Sequence, residues 1–500
     1  MILYNHEMED DYMVAEKQTH AGRKAIPASD RKNGYKVYLT NEQKEEIEYY
    51  GIGSSFSERC VNLLMMEIAR QQQMKQKTIR VIDLFAGLGG IRLGFEQAMK
   101  KSGFETKCVF TSEIKKYAIK AYQNHFGNEK IYGDITQVKT KDIPDFDVLL
   151  AGFPCQPFSS AGKGLGFSDT RGTLFFEIER ILRDRIMEDN PVKAFLLENV
   201  EGLVNHDNGN TLRVIINKLE SLSYQVSWKV LDSQYFGLAQ SRKRIYIVGT
   251  LNKKIDLNEF DVTTANFGDI MEKGLPTVKS KFSKCLFANY SPDEVLGKSI
   301  KDKRGGKDNI HSWDIDLKGK TTKEQRKLLN ILLKERRKKK WAKEIGIKWM
   351  DGMPLTLNQI RTFYDVDNLQ EMLDDLVKKG YLAYEHPKAL VDGQRKPDLN
   401  KPKGYNIVAG KLSFEFSKVL DPKKLAPTLV AMDVSKLGVI DGDGIRKLTI
   451  REGQRLCGYD PETYDLGVVK ESEAFDLLGN TVCVPVIEAI SEKIATALRV

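Results

Sequence analysis

At 500 residues the chain is longer than one hydrophobic core usually organises, so we expect at least two folded units. Its hydrophobic content of 41% and charged content of 29% are those of a globular protein, and no apolar run approaches the roughly 20 residues that a membrane-spanning helix needs. The net charge is +9, and six cysteines without a C-x-x-C pair argue against a disulfide framework and against a zinc site.

The first segment, residues 1–77, begins acidic and lacks the basic and apolar regions of a secretory signal, so we expect a cytoplasmic protein. Apolar residues recur at three- and four-residue steps in "TNEQKEEIEYY" and "SERCVNLLMMEIARQQQ", which predicts helices. Nothing there carries chemistry. We interpret the segment as a helical extension of unknown role.

From residue 78 onward, short β-branched runs alternate with Gly-containing turns and helical stretches, which predicts an α/β fold with a helix-covered parallel sheet. The strand candidates "KCVFTSEI", "DVLLAGF", "KAFLLENV" and "KRIYIVGT" are nearly continuous apolar runs, as in strands buried on both faces. This texture fills 78–274 and returns in 426–500. The basic region 275–425 is therefore predicted to be a smaller domain inserted into the α/β domain.

The motif "DLFAGLGG" (83–90) follows a predicted strand and opens a helix, so its glycines would let a ligand approach the backbone. It lacks the full G-x-G-x-x-G spacing and the Lys-Ser/Thr of a P-loop, so alone it is equally consistent with a tight structural turn. Glu113 in "FTSEI" and Asp134 in "YGDIT" follow later strands, where carboxylates can accept hydrogen bonds from ribose hydroxyls. Together they favour a nucleoside cofactor, although either acid alone could cap a helix.

Cys155 in "GFPCQPFSSAG" (152–162) stands between Pro154 and Pro157. The prolines fix the backbone on both sides, which suits a loop that presents one side chain in one geometry. A thiol with a pKa of about 8.5 is a strong nucleophile once ionised, whereas a buried structural cysteine needs no such frame. We interpret Cys155 as a nucleophile.

Glu198 in "FLLENV" ends another predicted strand and would reach the same sheet edge as Cys155 if the two strands are neighbours. The cluster "QSRKR" adds Gln240, Arg242 and Arg244, which could hold a substrate oxygen or a backbone phosphate near that edge. As an isolated basic cluster it would mean little.

The region 275–425 contains two patterns of its own. The run "KERRKKKWAK" (334–343) is strongly basic, although such a run alone is usually a solvated helix face. Residues 355–387 read as a short helix, a turn, a second helix and a small hairpin in "KKGYLAYEHP", which resembles a winged-helix module. The second helix carries its apolar side chains on one face, namely Leu369, Met372, Leu373, Leu376 and Val377.

Taken in order, these segments resemble the C5-cytosine-specific DNA methyltransferases of bacterial restriction-modification systems. The resemblance covers about 78–250 and 425–500, and its motifs are "DLFAGLGG", "GFPCQPFS", "RGTLFFEI", "ENV", "QSRKR", "KLTIREGQRLCGYD" and "LLGNTVCVPV". It implies a Rossmann-like, S-adenosylmethionine-dependent fold. The implied cofactor contacts are Phe85, Gly87, Gly89, Gly90, Glu113, Asp134 and Asn480. The implied catalytic residues are Cys155, Glu198, Arg242 and Arg244.

This resemblance implies that Cys155 adds to C6 of cytosine, which makes C5 able to accept a methyl group, while Glu198 binds the N3 and amino edge. The target base must be flipped out of the duplex to be reached. The sequence does not identify the base that removes the C5 proton, nor the target sequence.

The resemblance also implies that the inserted region recognises double-stranded DNA. We expect contacts from Gln240, Lys338 and Lys339, and base-edge contacts from Asn368 and Gln370 at the start of the second helix. The alternative, that the winged-helix-like part only packs within the insert, is about equally favoured. We further expect a monomer without a membrane partner, associated with the nucleoid through DNA, beside a restriction endonuclease that acts separately.

Two other functions remain open from the sequence. The first is a catalytically silent DNA-binding regulator that keeps the fold, against which the intact Cys155, Glu198 and "QSRKR" argue. The second is cytosine methylation of RNA by the same chemistry, as in the family's tRNA-acting members. The long basic insert favours duplex DNA over tRNA.

Overall fold

The computed structural model describes residues 37–154, 174–303, 306, 308–391, 394–408, 414–431 and 433–499. They belong to two compact units, Met1–Thr78 and Ile79–Val500. Within the described ranges no single helix is long and apolar enough to cross a membrane. The helix pair Glu471–Asn480 and Val484–Leu498, bent by 41°, passes that test together by length and composition alone.

The first unit is a helical hairpin of α1 (Asn41–Tyr50) and α2 (Phe56–Lys77). Thr40 begins α1 through a reciprocal capping box with Gln43, in which each side chain accepts from the other residue's amide. Ser55 caps α2 by accepting a hydrogen bond from the Glu58 amide. The helices predicted in this part of the sequence are thus confirmed.

The second unit is built on a seven-stranded sheet. Its strands are β1 (Thr78–Leu84), β2 (Glu105–Ser112), β3 (Ile131–Tyr132), β4 (Val148–Gly152), β5 (Ala194–Val200), β6 (Gln225–Asp232) and β7 (Lys243–Thr250). They lie in the order β3-β2-β1-β4-β5-β7-β6. Strands β1, β4 and β5 pair in parallel, as do β2 and β3, which confirms the predicted α/β class.

Strand β7 corrects the expectation of a wholly parallel sheet, because it runs antiparallel to both β5 and β6. A buried apolar run such as "KRIYIVGT" looks the same in either direction, so the sequence could not reveal this. The reversal brings the beginning of β7 beside the end of β5, where Val200 pairs with Arg244.

Helices and two apolar layers cover the sheet. The helices of the first segment are α3 (Gly90–Lys101), α4 (Lys116–Phe126), α5 (Leu174–Met187) and α6 (Asn210–Glu220). Successive strand side chains point to opposite faces, so Leu149 belongs to the layer under α5 and α6, while Leu150 belongs to the layer under α3. Both leucines are fully buried, as the continuous apolar runs predict.

The inserted region follows β7 and has apolar clusters of its own. Its elements, up to the closing segment, are α7 (Lys281–Asn289), α8 (Pro292–Val295), β8 (Ser299–Ile300), β9 (Asn309–Ile310), α9 (Lys323–Glu335), α10 (Lys339–Ile345), α11 (Leu357–Arg361), α12 (Leu369–Lys378), β10 (Leu382–Glu385), β11 (Lys388–Val391), β12 (Gln394–Pro397), β13 (Gly404–Ile407), β14 (Lys418–Val419), β15 (Leu437–Asp441) and β16 (Gly444–Lys447). One cluster gathers α9 to α12 around the buried side chains of Trp313 and Trp341. A five-stranded sheet, in the order β16-β15-β14-β8-β9, joins strands from both sides of residue 425.

The winged-helix-like part is present only in its helices. Leu369, Met372, Leu373 and Leu376 of α12 are buried as expected. The expected hairpin in "KKGYLAYEHP" is wrong, because this stretch supplies the single strand β10, whose antiparallel partner is the distant β13. Strands β11 and β12 form a separate hairpin. The winged-helix interpretation stays a prediction.

The closing segment consists of α13 (Ile450–Cys457), α14 (Glu471–Asn480) and α15 (Val484–Leu498). Helix α15 packs against α3 and completes the apolar layer on that face of the sheet. The two helices approach closely at Gly94, where a Cβ would lie 2.8 Å from both Ile487 Cβ and the Val484 carbonyl oxygen. The last residues of the chain therefore complete a core that begins with β1.

Candidate active site

A cavity of about 690 Å³ opens at the sheet edge where β1, β4 and β5 end. Parallel strands bring their carboxyl ends to one edge, and this is where open α/β sheets bind ligands. The walls are drawn from residues 85–91, 112–118, 133–136, 152–154, 198–200, 242–244 and 477–482. Segments far apart in the sequence thus line one site.

The turn between β1 and α3 forms one wall and is held in an unusual backbone conformation. Phe85, Gly87 and Gly89 have φ values of +57°, +56° and +71°. For the non-glycine Phe85 this is a left-handed conformation that costs energy and is concentrated at functional sites. A Cβ on Gly87 would meet no atom within 4 Å, whereas one on Gly89 or Gly90 would collide with aromatic side chains. Gly87 therefore leaves open space, and the other two glycines allow close packing.

Glu113 is fixed against this turn by three backbone amides. Its carboxylate accepts hydrogen bonds from the Gly87, Ile114 and Lys115 amides, each at 2.8 Å. An ionised carboxylate has about four acceptor positions, so one remains for a ligand hydroxyl. Next to it, the apolar side chain of Ile114 is 73% exposed.

Asp134 and Asn480 line the same cavity, and their contact with a cofactor stays a prediction. The Asp134 carboxylate accepts from the Thr136 amide at 3.0 Å through one oxygen. The Asn480 side chain donates to the Asp476 carbonyl oxygen at 2.8 Å at the end of α14. All seven residues expected at the cofactor therefore lie on this cavity or, for Gly89, within the turn that forms its wall.

Glu198 and Arg244 form an ion pair at the other end of the cavity. Arg244 Nε lies 3.1 Å from Glu198 Oε1, and only 15% and 12% of these side chains are exposed. Burial raises the pKa of Glu198 above its usual value, although Arg244 and Arg242 oppose the rise. The carboxyl thus keeps its proton to higher pH than a solvated glutamate does.

Cys155 lies outside the described residues. The chain leading to it is described as far as Pro154, which lines the cavity together with Gly152 and Phe153. Gly152 is the register partner of Glu198, because β4 and β5 pair in parallel. The expected convergence of Cys155 and Glu198 stays a prediction, three residues beyond this pairing.

Comparison with known proteins identifies the family. The family model described as C-5 cytosine-specific DNA methylase matches residues 79–496. The chain belongs to this family. The Type II methyltransferases M.NlaIV of Neisseria lactamica and M.NgoBV of Neisseria gonorrhoeae are 57% and 56% identical to this methylase over 427 residues, which are 84% of the chain and 99% of each relative. M.BanI of Aneurinibacillus aneurinilyticus is 44% identical over 441 residues, 83% of the chain and 95% of the relative.

Arg242 of the methylase faces the cavity but serves mainly as an anchor. It is 2% exposed, and its guanidinium donates to three carbonyl oxygens, those of Leu429 at 2.8 Å, Thr481 at 2.6 Å and Gly479 at 3.2 Å. These bonds tie the start of β7 to two segments of the closing half. Its Nε has no hydrogen-bond partner among the described residues, and Arg242 lines the cavity, so the expected catalytic role stays a prediction beside this anchoring role.

Gln240 is likewise engaged inside the protein. It is completely buried, its amide nitrogen donates to the Leu456 carbonyl oxygen at 2.8 Å, and its amide oxygen accepts from the Leu429 amide at 2.8 Å. In this position the side chain cannot reach DNA. The expected DNA contact of Gln240 is therefore wrong, and the residue has a structural role. The sequence of a motif does not show which of its side chains point into the protein interior.

The other expected DNA contacts lie on the surface of the insert. Lys338 and Lys339 are exposed at the start of α10, and Lys338 forms an ion pair with Glu335. Asn368 caps α12 without a side-chain hydrogen bond, and Gln370 donates to Asp374 at 2.8 Å and Tyr405 Oη at 2.5 Å. None of the four lines the catalytic cavity.

The electrostatics of the insert distinguish these positions. The start of α12 carries Asp365, Asp367 and Glu371 around Asn368, which disfavours an approach to phosphates. By contrast, a groove of about 750 Å³ along α9 has four cations among its lining residues, Lys323, Arg326, Lys327 and Lys334, against two acids, Asp314 and Glu335. The sequence carries a signal for this groove, because its basic residues recur on one face of a helix.

Sequence reasoning also missed the groups that hold the cofactor end together. Asp476 of α14 accepts hydrogen bonds from Tyr117 Oη at 2.6 Å and Lys115 Nζ at 2.9 Å across the mouth of the cavity. Burial alone would raise the pKa of Asp476, but these two donors outweigh it and hold the pKa below its usual value. No motif marks a pair of residues about 360 positions apart.

Behind the glycine turn lies a buried acid, Asp83. Burial raises its pKa to about 7, against the opposing effects of Arg92 and of the Tyr122 hydroxyl, which donates to it at 3.3 Å. Its second oxygen has no partner among the described residues. The signal was visible as an acid inside the apolar strand "TIRVIDL".

Proposed function

We propose that this methylase transfers a methyl group to C5 of a cytosine within a specific sequence of double-stranded DNA. The observation that carries the proposal is a single cavity. It joins a glycine turn and two carboxylates suited to a nucleoside with the buried Glu198–Arg244 pair and with the chain that leads into Cys155. Family membership gives the reaction type, and the cavity supplies the residues for it.

The cofactor end fits S-adenosylmethionine, which when bound supplies an electrophilic methyl group. Glu113 and Asp134 keep acceptor positions for ribose hydroxyls, because their hydrogen bonds to backbone amides use only part of each carboxylate. The open space at Gly87 admits a ligand against the backbone. Exposed Ile114 offers an apolar surface suited to a purine ring. Phe85, Gly89, Gly90 and Asn480 complete the proposed contacts.

Glu198 is proposed to bind the N3 and amino edge of the target cytosine. With its pKa raised by burial, the carboxyl can donate its proton toward N3 at pH values where a solvated glutamate would be ionised. Arg244 fixes the orientation of the carboxyl through the ion pair at 3.1 Å. Charge that develops on the ring during addition is stabilised by this preorganised pair.

Cys155 is proposed as the nucleophile that adds to C6. The support is its sequence frame between two prolines and the position of residues 152–154 on the cavity wall beside Glu198. Addition makes C5 a carbon nucleophile that can accept the methyl group, and removal of the C5 proton from the methylated ring then allows the thiol to leave C6. A stacked base cannot enter this cavity, so the proposal requires base flipping, at a cost of a few kcal/mol.

The insert, residues 275–425, is proposed to recognise the target sequence. Its proposed DNA contacts are Lys338, Lys339, Asn368 and Gln370. The described lining residues of the cavity all come from one chain, which supports catalysis by a single chain. We also propose a cytoplasmic, nucleoid-associated enzyme that protects DNA from a cognate restriction endonuclease. The support is the identity to curated Type II methyltransferases over nearly their whole length.

The test is transfer of labelled methyl from S-adenosylmethionine to duplex DNA and, separately, to tRNA, followed by nucleoside mass spectrometry. We expect 5-methylcytosine in DNA only, and none with the Cys155→Ser variant, which should still bind the cofactor. Label in tRNA alone would contradict the DNA substrate. Normal turnover by Cys155→Ser would contradict the mechanism, and no label in either nucleic acid would favour a silent DNA-binding protein.

A further inference from the structure

The first unit carries an apolar surface that its own two helices leave uncovered. Twenty-one large apolar side chains are exposed in the described part of the chain, and ten of them fall within residues 37–68. They are Val37, Tyr38, Tyr49, Tyr50, Ile52, Val61, Leu64, Met65, Met66 and Ile68. Scattered apolar residues are normal on a surface, but such a concentration marks an interaction site.

Four of these residues form one stripe along α2. Val61, Leu64, Met65 and Ile68 follow each other at steps of three, one and three, which places them on a single face of the helix. Their exposed fractions are 54%, 44%, 59% and 40%. We call these four residues the α2 stripe.

The opposite face of α2 is already used within the hairpin. Phe56 and Leu63 on that face are half-buried, and Arg59 donates to the Glu48 carbonyl oxygen of α1 at 2.6 Å. At 100° per residue these positions lie roughly across the helix from the stripe. Helix α1 therefore cannot cover the stripe without releasing these contacts.

Hydrogen bonds from side chains and close packing fix the geometry of the hairpin. Besides its helix caps, Arg59 Nε donates to the Gly53 carbonyl oxygen at 3.0 Å, and Asn62 donates to that of Ile52 at 2.6 Å. The end of α1 approaches α2 so closely that a Cβ on Gly51 would lie 2.6 Å from the Arg59 Cβ of α2. Side chains thus fix the turn that presents the stripe.

We propose that the α2 stripe is a dimer interface, occupied by the same stripe of a second copy of this chain. Ile47 is the one buried side chain within residues 37–68, and two helices alone cannot enclose a core. Two such hairpins paired through their stripes make a four-helix arrangement with a shared interior. A twofold interface must be self-complementary, and an uncharged apolar stripe satisfies that condition.

The charges of the hairpin favour the same occupant. Helix α1 carries four acids, Glu42, Glu45, Glu46 and Glu48, against one lysine, whereas α2 after Glu67 carries only basic charges, Arg70, Lys75 and Lys77. The acidic helix of one copy is therefore complementary to the basic end of α2 in the other. A nucleic acid would be repelled by α1.

The proposal replaces the monomer expected from the sequence with two enzymes joined at their N-terminal hairpins. It is independent of the proposed reaction, because each chain lines its own cavity. Methyl transfer per chain should accordingly stay the same when the dimer dissociates.

The test is analytical ultracentrifugation of the full chain over a dilution series, with Met65→Glu and the matched control Met66→Glu. The two methionines are adjacent, similarly exposed at 59% and 49%, and about 100° apart on the helix. We expect a dimer for the wild type and for Met66→Glu. For Met65→Glu we expect a dimer dissociation constant raised on the order of 100-fold or more, since two symmetry-related side chains lose their burial.

A monomeric wild type throughout the dilution series would overturn the proposal, as would equal behaviour of the two variants. Dimers formed elsewhere on the chain would survive Met65→Glu, and a stripe covered by another part of the same chain would give a monomer. If Met65→Glu fails to fold, as judged by lost helical circular dichroism relative to the wild type, Leu64→Asn with Met66→Asn as its control answers the same question.

Discussion

At the residue scale, the glycine turn shows how one missing side chain creates a binding surface. Gly87 and Gly103 both have positive φ values, +56° and +78°, and a Cβ would meet no neighbour at either position. The two glycines differ in their location: Gly87 lines the cavity, whereas Gly103 follows α3 and does not line it. The pair therefore separates backbone strain from loss of ligand space.

We predict that Gly87→Ala and Gly103→Ala lower the free energy of unfolding by similar amounts, roughly 1–2 kcal/mol for a left-handed alanine. Only Gly87→Ala should weaken binding of S-adenosylmethionine, by about tenfold or more, which is about 1.4 kcal/mol. Calorimetric titration and denaturant unfolding of both variants check this. Equal affinity in the two variants would mean that the ligand does not approach Gly87.

Asp83 allows a prediction of pH dependence. Its pKa is about 7 in the folded protein, raised by burial, against a usual value near 4 in the unfolded chain. Between these values the folded state holds a proton that the unfolded state has lost, so stability falls as pH rises from about 4 to about 7. Above about pH 7 the loss is complete.

We predict that Asp83→Asn, which cannot ionise, gains stability relative to the wild type across that window, by up to about 4 kcal/mol. Denaturant unfolding at pH 5 and pH 8 measures it, with Asp134→Asn, an exposed acid at the same sheet edge, as the control. If the Asp83→Asn difference is the same at both pH values, Asp83 is ionised throughout and the argument fails.

How far the sequence predicts a residue's role depends on whether the role is local. Glu113, Asp134 and Asn480 are found on the cavity because each belongs to a short motif at the end of its own element. The DNA contact predicted for Gln240 was wrong, and the anchoring bonds of Arg242 were not foreseen, because their partners, Leu429, Thr481 and Leu456, lie some 190 to 240 residues away. Only the folded chain shows that these polar groups are already engaged.

At the element scale, Arg242 decides how the two halves of the catalytic fold are joined. Its guanidinium holds carbonyl oxygens before and within the segment that carries Asn480. Arg336 provides a comparison, because it is also buried, at 3%, but donates to Asn406 and Ile407 within the insert.

We predict that Arg242→Met and Arg336→Met each lower the free energy of unfolding by roughly 3 kcal/mol, because buried carbonyl oxygens lose their donors. Only Arg242→Met should also weaken cofactor binding, since it loosens the segment of Thr481. Thermal unfolding and cofactor titration of both variants separate the two effects. Unchanged affinity in Arg242→Met would show that the anchor does not position the site.

Helices and strands were predicted well where the spacing of apolar residues defines them. The pairing partners and directions of the strands were predicted poorly. The strands of the sheet and the apolar face of α12 follow from runs and spacings that the sequence displays directly. The pairing of β10 with β13 does not follow from such patterns, because the separate hairpin of β11 and β12 lies between them in the chain. Strand direction was equally hidden for β7.

At the scale of the whole molecule, the methylase family match begins at residue 79, and the described residues that line the cavity fall between 85 and 482. We predict that removing residues 1–77 leaves methyl transfer per chain within about twofold of the full chain, because the family match and these lining residues all lie in the part that remains. Initial rates on duplex DNA measure this. A rate reduced far below that level would mean that the N-terminal helices take part in DNA binding or catalysis.

The packing of α15 on α3 also has a consequence for biosynthesis. Helix α3 is synthesised before the insert, but its cover α15 and the cavity residues 477–482 are synthesised only after it. At 5–20 residues per second, the intervening stretch takes on the order of 20–80 s to translate. Throughout that time one apolar face of the sheet stays open, and the nascent enzyme can neither close its core nor bind its cofactor. Newly made chains should therefore depend on chaperones until helix α15 has been synthesised.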